Sequence, residues 1–215
     1  MKFINTQTFN FEGAFRGMRN PKNSWAKSDS TFTPHMTTLG PKDLKLAQTL
    51  IKAGPEHRKF LRQIMVCVDI TAPLYWWKEL DTYKVGTTAN STSTMHKLAD
   101  TKITRDCFEM GDYDSSVVVF DEELYYVQDA WCNLISICEG LRVKYNQTKE
   151  ERYWKELIRL LPESFLQTRT VTMNYENLYS MYRQRKSHKL IEWRESFVNW
   201  VKTLPYANEL ILLDD

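Results

Sequence analysis

Arg185 is the residue of this 215-residue chain best placed to meet an anion or a carbonyl group. Asn174 can cap a helix, and on that helix Arg185 shares the apolar face of Leu178 and Met181. An inward guanidinium needs an acceptor, and its planar fork suits phosphate or the edge of a pyrimidine. A structural ion pair with a carboxylate such as Glu192 would satisfy the same charge. Arg183, Lys186, His188 and Lys189 cluster nearby at a helix junction. They read either as ordinary solvated charges or as a place for an anion.

A second group lies in the loop Thr87 to Thr94, where Asn90, Ser91 and Ser93 add to a run of threonines. Hydroxyls and backbone N–H groups can cradle phosphate, although such turns also occur as plain surface loops. Tyr75-Trp76-Trp77 offers a stacking face or, equally, core packing. Other chemistry is excluded by type and spacing. With 7 glycines there is no G-x-G-x-x-G and no phosphate-binding G-x-x-x-x-G-K. The histidines 35, 57, 96 and 188 never share metal-ligand spacing on one helix, so no metal is expected. No nucleophile elbow is present.

The elements that must position these residues are legible in part. Pro41 opens a helix with Leu44, Ala47, Leu50 and Ile51 on one face, ending near Gly54-Pro55. Ile64, Val66, Val68 and Ile70 alternate with Met65, Cys67 and Asp69, which is strand period. Pro73 begins a helical stretch with Leu74, Trp77 and Leu80 inward. Leu166 to Asn174 alternates as a strand, Asn174 caps the next helix, and a last helix spans roughly His188 to Thr203. Between them the spacing predicts a long helix capped by Asp121, with Leu124, Val127, Trp131, Leu134, Cys138, Leu141 and Tyr145 along one seam. Thr148 to Glu151 reads as a capping box for its successor. Residues 1–40 read as loop with a short helix, and 97–120 are weakly patterned.

Composition is globular, 42% hydrophobic and 26% charged, with 7 Trp, 11 Tyr and 10 Phe. One α+β domain over 1–215 is expected, since no linker or repeat divides the chain. A formal charge of only +2 argues against nucleic acid as a partner. No run approaches the ~20 apolar residues of a membrane span. The start, Met1 to Thr6, lacks a signal-peptide core, and Cys67, Cys107, Cys132 and Cys138 show no pairing motif. Free thiols in a cytoplasmic protein are the expectation.

In order and flanking pattern, two segments together resemble the flavin-dependent thymidylate synthases. Pro73 closes a strand where that family does, and Thr82-Tyr83-Lys84 occupies the place of its Arg-His-Arg. Asn90 and Ser93 match the motif's Asn and Ser, whereas Ser91 stands for Glu, Met95 for Arg and His96 for Tyr. Gln63 falls where the family has a flavin-contacting His. Downstream, Leu161-Pro162, Thr172, Asn174, Leu178 and Arg185 keep family spacing. Glu176 replaces an arginine, Ile158 replaces the phosphate-binding arginine, and Arg159 lies beside it.

The resemblance implies a central antiparallel sheet with a helical bundle, assembled as a homotetramer. It implies transfer of a one-carbon unit from methylenetetrahydrofolate to a dUMP-like nucleotide, with reduced FAD and NADPH. By carry-over, Arg185 and Ser93 are the catalytic candidates. Arg159, Arg185, Ser91 and Ser93 would meet the nucleotide, and Lys84, Asn90, Asn174 and His188 the cofactor. Family anion sites use charge-assisted bonds, so each lost arginine should weaken binding unless Lys84, Arg159, Arg169 or Arg183 substitutes. The alternative is a non-catalytic nucleotide-binding or structural homologue that kept fold and assembly.

Overall fold

The structure is a computed structural model and describes residues 1–111 and 117–213. In chain order the first half runs β1 (Lys2–Phe9), α1 (Phe11–Arg19), β2 (Thr31–Phe32), β3 (Thr37–Thr38), α2 (Pro41–Lys52) and β4 (Met65–Pro73). Then follow α3 (Leu74–Leu80), β5 (Thr88–Ser91), α4 (Thr94–Lys97), β6 (Val117–Phe120) and β7 (Glu123–Tyr126). The long α5 (Val127–Thr148) leads into α6 (Glu151–Leu160), β8 (Leu166–Asn174) and α7 (Tyr175–Arg185). A π-helical stretch, Glu192–Phe197, continues into α8 (Val198–Lys202), and α9 (Ala207–Leu210) follows. The fold class is α+β. One sheet has the order β1-β4-β8-β5; β2-β3 and β6-β7 are separate hairpins.

The chain divides into two compact units. The first comprises Met1–Ile70, Glu79–Asn90 and Thr170–Asp215; the second comprises Thr71–Lys78 and Ser91–Arg169. Each is assembled from discontinuous segments, so no linker in the sequence could mark the division.

In the first unit the alternation read from β4 holds: Ile64, Val66, Val68 and Ile70 are all fully buried. Each such side chain stabilises by roughly 1.5–3 kcal/mol, and a one-residue slip would turn Asp69 inward instead. Residues 1–40 hold the short helix expected, as α1, but depart from the loop expected by also supplying β1, β2 and β3. Their order comes from a buried ion pair that hydrophobic periodicity cannot reveal. Arg19 donates from Nε to Oδ1 of Asp43 at 2.6 Å and also binds the carbonyls of Ser24 and Lys27. Oδ2 of Asp43 accepts from the hydroxyls of Ser28 and Ser30 at 2.7 and 2.6 Å. Asp29 in turn accepts from the backbone N–H groups of Lys42 and Asp43, satisfying the open amides of α2.

In the second unit Trp131, Leu134 and Leu141 of α5 pack with Cys138, Leu157, Phe108, Ile103 and Leu98. The apolar seam is therefore used within the subunit, against α6. Asp121 does not cap α5: it and Glu122 have φ of 53° and 66° and form the turn of the β6-β7 hairpin, which takes Leu124 into a strand. Thr148 to Glu151 is not a capping box, since α5 runs through Thr148, Lys149 turns the chain at φ 57° and Glu150 caps without a side-chain bond. Of the weakly patterned stretch 97–120, residues 112–116 lie outside the described residues. Among the described residues no helix is long and apolar enough to cross a membrane.

Candidate functional site

The inward arginine has a definite surrounding in the first unit. Asn174 caps α7 as expected, accepting from the N–H of Asn177 at 2.9 Å, while the Asn177 side chain accepts from the N–H of Asn174 at 3.1 Å. Arg185 ends this helix with its side chain 17% exposed. Its Nη1 lies 2.9 Å from Oε2 of Glu79, the last-turn carboxylate of α3, where spacing alone pointed to Glu192. Its Nε donates to the Tyr83 hydroxyl at 3.0 Å, and that hydroxyl donates to Gln184 at 2.8 Å. The guanidinium also sits 4.9 Å from the ring centre of fully buried Trp193. The π-helical turn supplies that tryptophan; such widened turns recur at functional sites.

His188 joins the same carboxylate. Its Nδ1 accepts from the N–H of Leu190 at 3.1 Å, which leaves Nε2 to face Glu79 Oε2 at 3.4 Å. The structure thus brings together Arg185, His188, Glu79 and Tyr83, two of them foreseen as site residues. Glu79 carries no periodic signal, since it sits on the wetter side of a short helix. Tyr83 was visible only as the middle of a degenerate motif.

The loop after Tyr83 docks on the cap of α7. Asn177 donates from Nδ2 to the carbonyl of Val85 at 2.8 Å. Gly86 has φ of +79°, and a Cβ there would meet Asn174 Nδ2 at 2.8 Å, so a side chain would be strained and crowded. Asn174, read as a cofactor ligand, is thereby committed to capping and to this close approach. Lys84 and Asn90 are exposed in the same unit.

Ser91, Ser93 and Arg159 belong to the second unit. Ser93 caps α4, accepting from the N–H of His96 at 3.1 Å. Ser91 is exposed at the end of β5. Arg159 is 60% exposed and pairs with Glu156 at 2.9 Å. Arg169 donates to Gln167 at 2.9 Å and lies 4.3 Å over Trp77. In the first unit Arg183 is committed to the carbonyls of Ile211 and Leu213 at 2.7 and 2.6 Å. Of the possible substitute cations, Arg183 is thus a clasp for the end of the chain.

Two further features were not legible. Glu176, which replaces a family arginine, is paired with Arg58 at 2.9 Å, and Arg58 stacks 4.4 Å over Tyr179. Gln63 lines a cavity of about 500 Å³ in the first unit. Met18 and Phe60 give it buried apolar walls, and exposed Lys22, Lys59, His57 and Glu56 line it too. Gly17 leaves room for the Gln63 amide, whose Oε1 would stand 2.8 Å from a Cβ there. Among the described residues no group of three or more His, Cys, Asp or Glu could hold a metal ion.

No protein-family model matches the chain. No curated protein matches it either. Among solved structures it is similar to the flavin-dependent thymidylate synthase ThyX from Helicobacter pylori complexed with FAD and dUMP. The TM-score is 0.70 at 17% identity, covering 98% of each chain. A second structure of thymidylate synthase X (ThyX) from Helicobacter pylori, with FAD and dUMP, gives a TM-score of 0.69 at 18% identity over 98% of this chain and 97% of that one. At such identities the likeness is one of architecture: the chain has the fold of the ThyX flavin-dependent thymidylate synthases.

Proposed function

We propose that this protein is a divergent member of the flavin-dependent thymidylate synthase family that binds a dUMP-like pyrimidine deoxynucleotide. Its reaction would transfer a one-carbon unit from methylenetetrahydrofolate to that nucleotide, using FAD reduced by NADPH. The observation that carries this reading is Arg185, held in fixed orientation by Glu79 and Tyr83 on a fold whose H. pylori counterparts are complexed with FAD and dUMP. A guanidinium fixed before the ligand arrives loses little freedom on binding, which is how an enzyme stabilises charge developing on a ring carbonyl.

FAD fits the residues present in part. The cavity beside Gln63 has apolar walls for a flat ring and Lys22 and Lys59 for an anionic group, with Glu56 in the same lining opposing one. The cations are fewer than the resemblance implies, which supports weak retention. When bound, reduced flavin would supply the carrier chemistry, and this chain would bind, orient and polarise. Arg185 would draw charge onto a ring carbonyl, Tyr83 would hold Arg185 through Nε, and Lys84 and Asn90 would serve as exposed polar contacts.

A homotetramer is part of the same proposal. Its support is apolar surface in the second unit: Val119, Phe120 and Leu124 of the β6-β7 hairpin are 67%, 69% and 60% exposed. An isolated two-stranded hairpin is marginal in water, so contact between copies would stabilise it. Four free cysteines fit a cytoplasmic location.

A second reading is a non-catalytic homologue that kept fold and assembly. The side chains of Asn174 and Ser93 act as helix caps, and Glu79 offsets the charge of Arg185, and these observations favour it. Anaerobic incubation with reduced FAD, methylenetetrahydrofolate and dUMP separates the two. The first reading expects dTMP in amounts exceeding the enzyme; dUMP returned unchanged, with binding intact, selects the second.

A further inference from the structure

Oε2 of Glu79 faces both Arg185 and His188. Oε2 lies 2.9 Å from Nη1 of Arg185 and 3.4 Å from Nε2 of His188. An arginine and a carboxylate paired for strength engage through two parallel N–H···O bonds. Here Nε donates to the Tyr83 hydroxyl at 3.0 Å, and Oε2 of Glu79, though 2.9 Å from Nη1, is buried without a hydrogen-bond partner. Among the described residues, neither Oε1 of Glu79 nor Nη2 of Arg185 has a hydrogen-bond partner. Oε2 is buried while the Glu79 side chain as a whole is 32% exposed, so its open part lies away from Oε2. The result is an unpaired donor and an unpaired acceptor on two side chains in ion-pair contact, with half-exposed Tyr83 as an aromatic neighbour.

Such a pair suits a ligand edge that carries an acceptor next to a donor. It disfavours a phosphate, because a carboxylate beside the anion opposes it. We infer that Glu79 is a specificity-determining residue of this site. Arg185 donates to a ring carbonyl, and Oε1 of Glu79 accepts the adjacent ring N–H, as on the imide edge of a uracil-type base. The inference rests on the pyrimidine reading above and adds the residue that reads the base. Phosphate recognition then falls to other cations.

Calorimetric titration with dUMP and with N3-methyl-dUMP, which lacks the ring N–H, tests it. Wild-type protein should prefer dUMP by on the order of ten-fold or more, since a methyl group leaves the carboxylate unpaired and crowded. In Glu79→Ala the two ligands should bind within about two-fold of each other. If Glu79 only steadies Arg185, the variant loses both ligands equally and the preference persists, which overturns the inference. Equal binding of both ligands by wild-type protein also overturns it and leaves the pyrimidine reading standing. Failure of either ligand to bind wild-type protein removes the pyrimidine reading and this inference with it.

Discussion

Arg58 donates from Nε to Oε1 of Glu176 at 2.9 Å, joining residues 118 positions apart. Glu176 stands where the resemblance implies an arginine, and a lone carboxylate there would repel an anion. Arg58 cancels that charge from a different part of the chain, so the local balance differs from what the linear motif suggests. Both side chains are largely buried, 16% and 13% exposed. Arg58→Ala should therefore destabilise the fold by on the order of 2–4 kcal/mol, because it leaves Glu176 unpaired. The double variant Arg58→Ala with Glu176→Ala should recover part of that loss in urea unfolding. Additive losses would show that the pair contributes no coupling.

The Arg19–Asp43 pair makes a pH prediction. Burial raises the pKa of Asp43, but hydrogen bonds from Ser28, Ser30 and Arg19, with the charge of Arg19, outweigh it and hold the carboxyl below its ordinary range. A depressed carboxylate stabilises the fold above its unfolded pKa and loses that contribution as pH falls through the folded pKa. The urea midpoint should accordingly begin to drop as pH approaches about 4, the ordinary Asp value, and keep falling below it. Asp43→Asn should be less stable at pH 7 and show a flatter profile. An unchanged slope in the variant would assign the acid sensitivity to other carboxylates.

Much of the frame was legible because it rests on local periodicity. The β4 alternation, the Pro41 helix start and the Asn174 cap are each decided by residues adjacent in sequence, and each stands in the structure. What escaped depends on pairing at a distance. Arg19 with Asp43, Arg58 with Glu176 and Arg185 with Glu79 join separate elements, and no single-element pattern announces them. The same holds for Asp121, whose type suits a cap and a turn equally; the pairing of β6 with β7 decided between them. Of the site, Arg185 and its inward direction were readable, as was the proximity of His188. Glu79, Trp193 and the charged residues around Gln63 needed the fold.

The β6-β7 hairpin should govern assembly. Replacing Val119 and Phe120 by Glu removes exposed apolar surface without touching the buried cluster of the second unit. Light scattering should show a tetramer for the wild type and smaller species for the variant. A wild-type monomer at micromolar concentration would end the assembly proposal.

Flavin should be held weakly. Gln63, Thr82, Tyr83 and Met95 stand where the resemblance implies charged or imidazole partners, so charge-assisted bonds are lost. Protein purified without added cofactor should be colourless, lacking the flavin band near ~450 nm. Saturable binding should appear only when FAD is added. A stoichiometrically yellow preparation would contradict this and strengthen the catalytic reading.

The central claim is that a pyrimidine nucleotide binds beside Arg185, and calorimetric titration of dUMP into wild-type and Arg185→Ala protein tests it most directly. The account predicts saturable binding to the wild type and a loss of roughly 2–5 kcal/mol in the variant. Because Arg185 is also paired with Glu79, a melting curve for each protein accompanies the titration. A folded variant with much weaker binding supports the claim. Unchanged dUMP affinity, with a large fall in melting temperature, would contradict it and make Arg185 a structural partner of Glu79 alone.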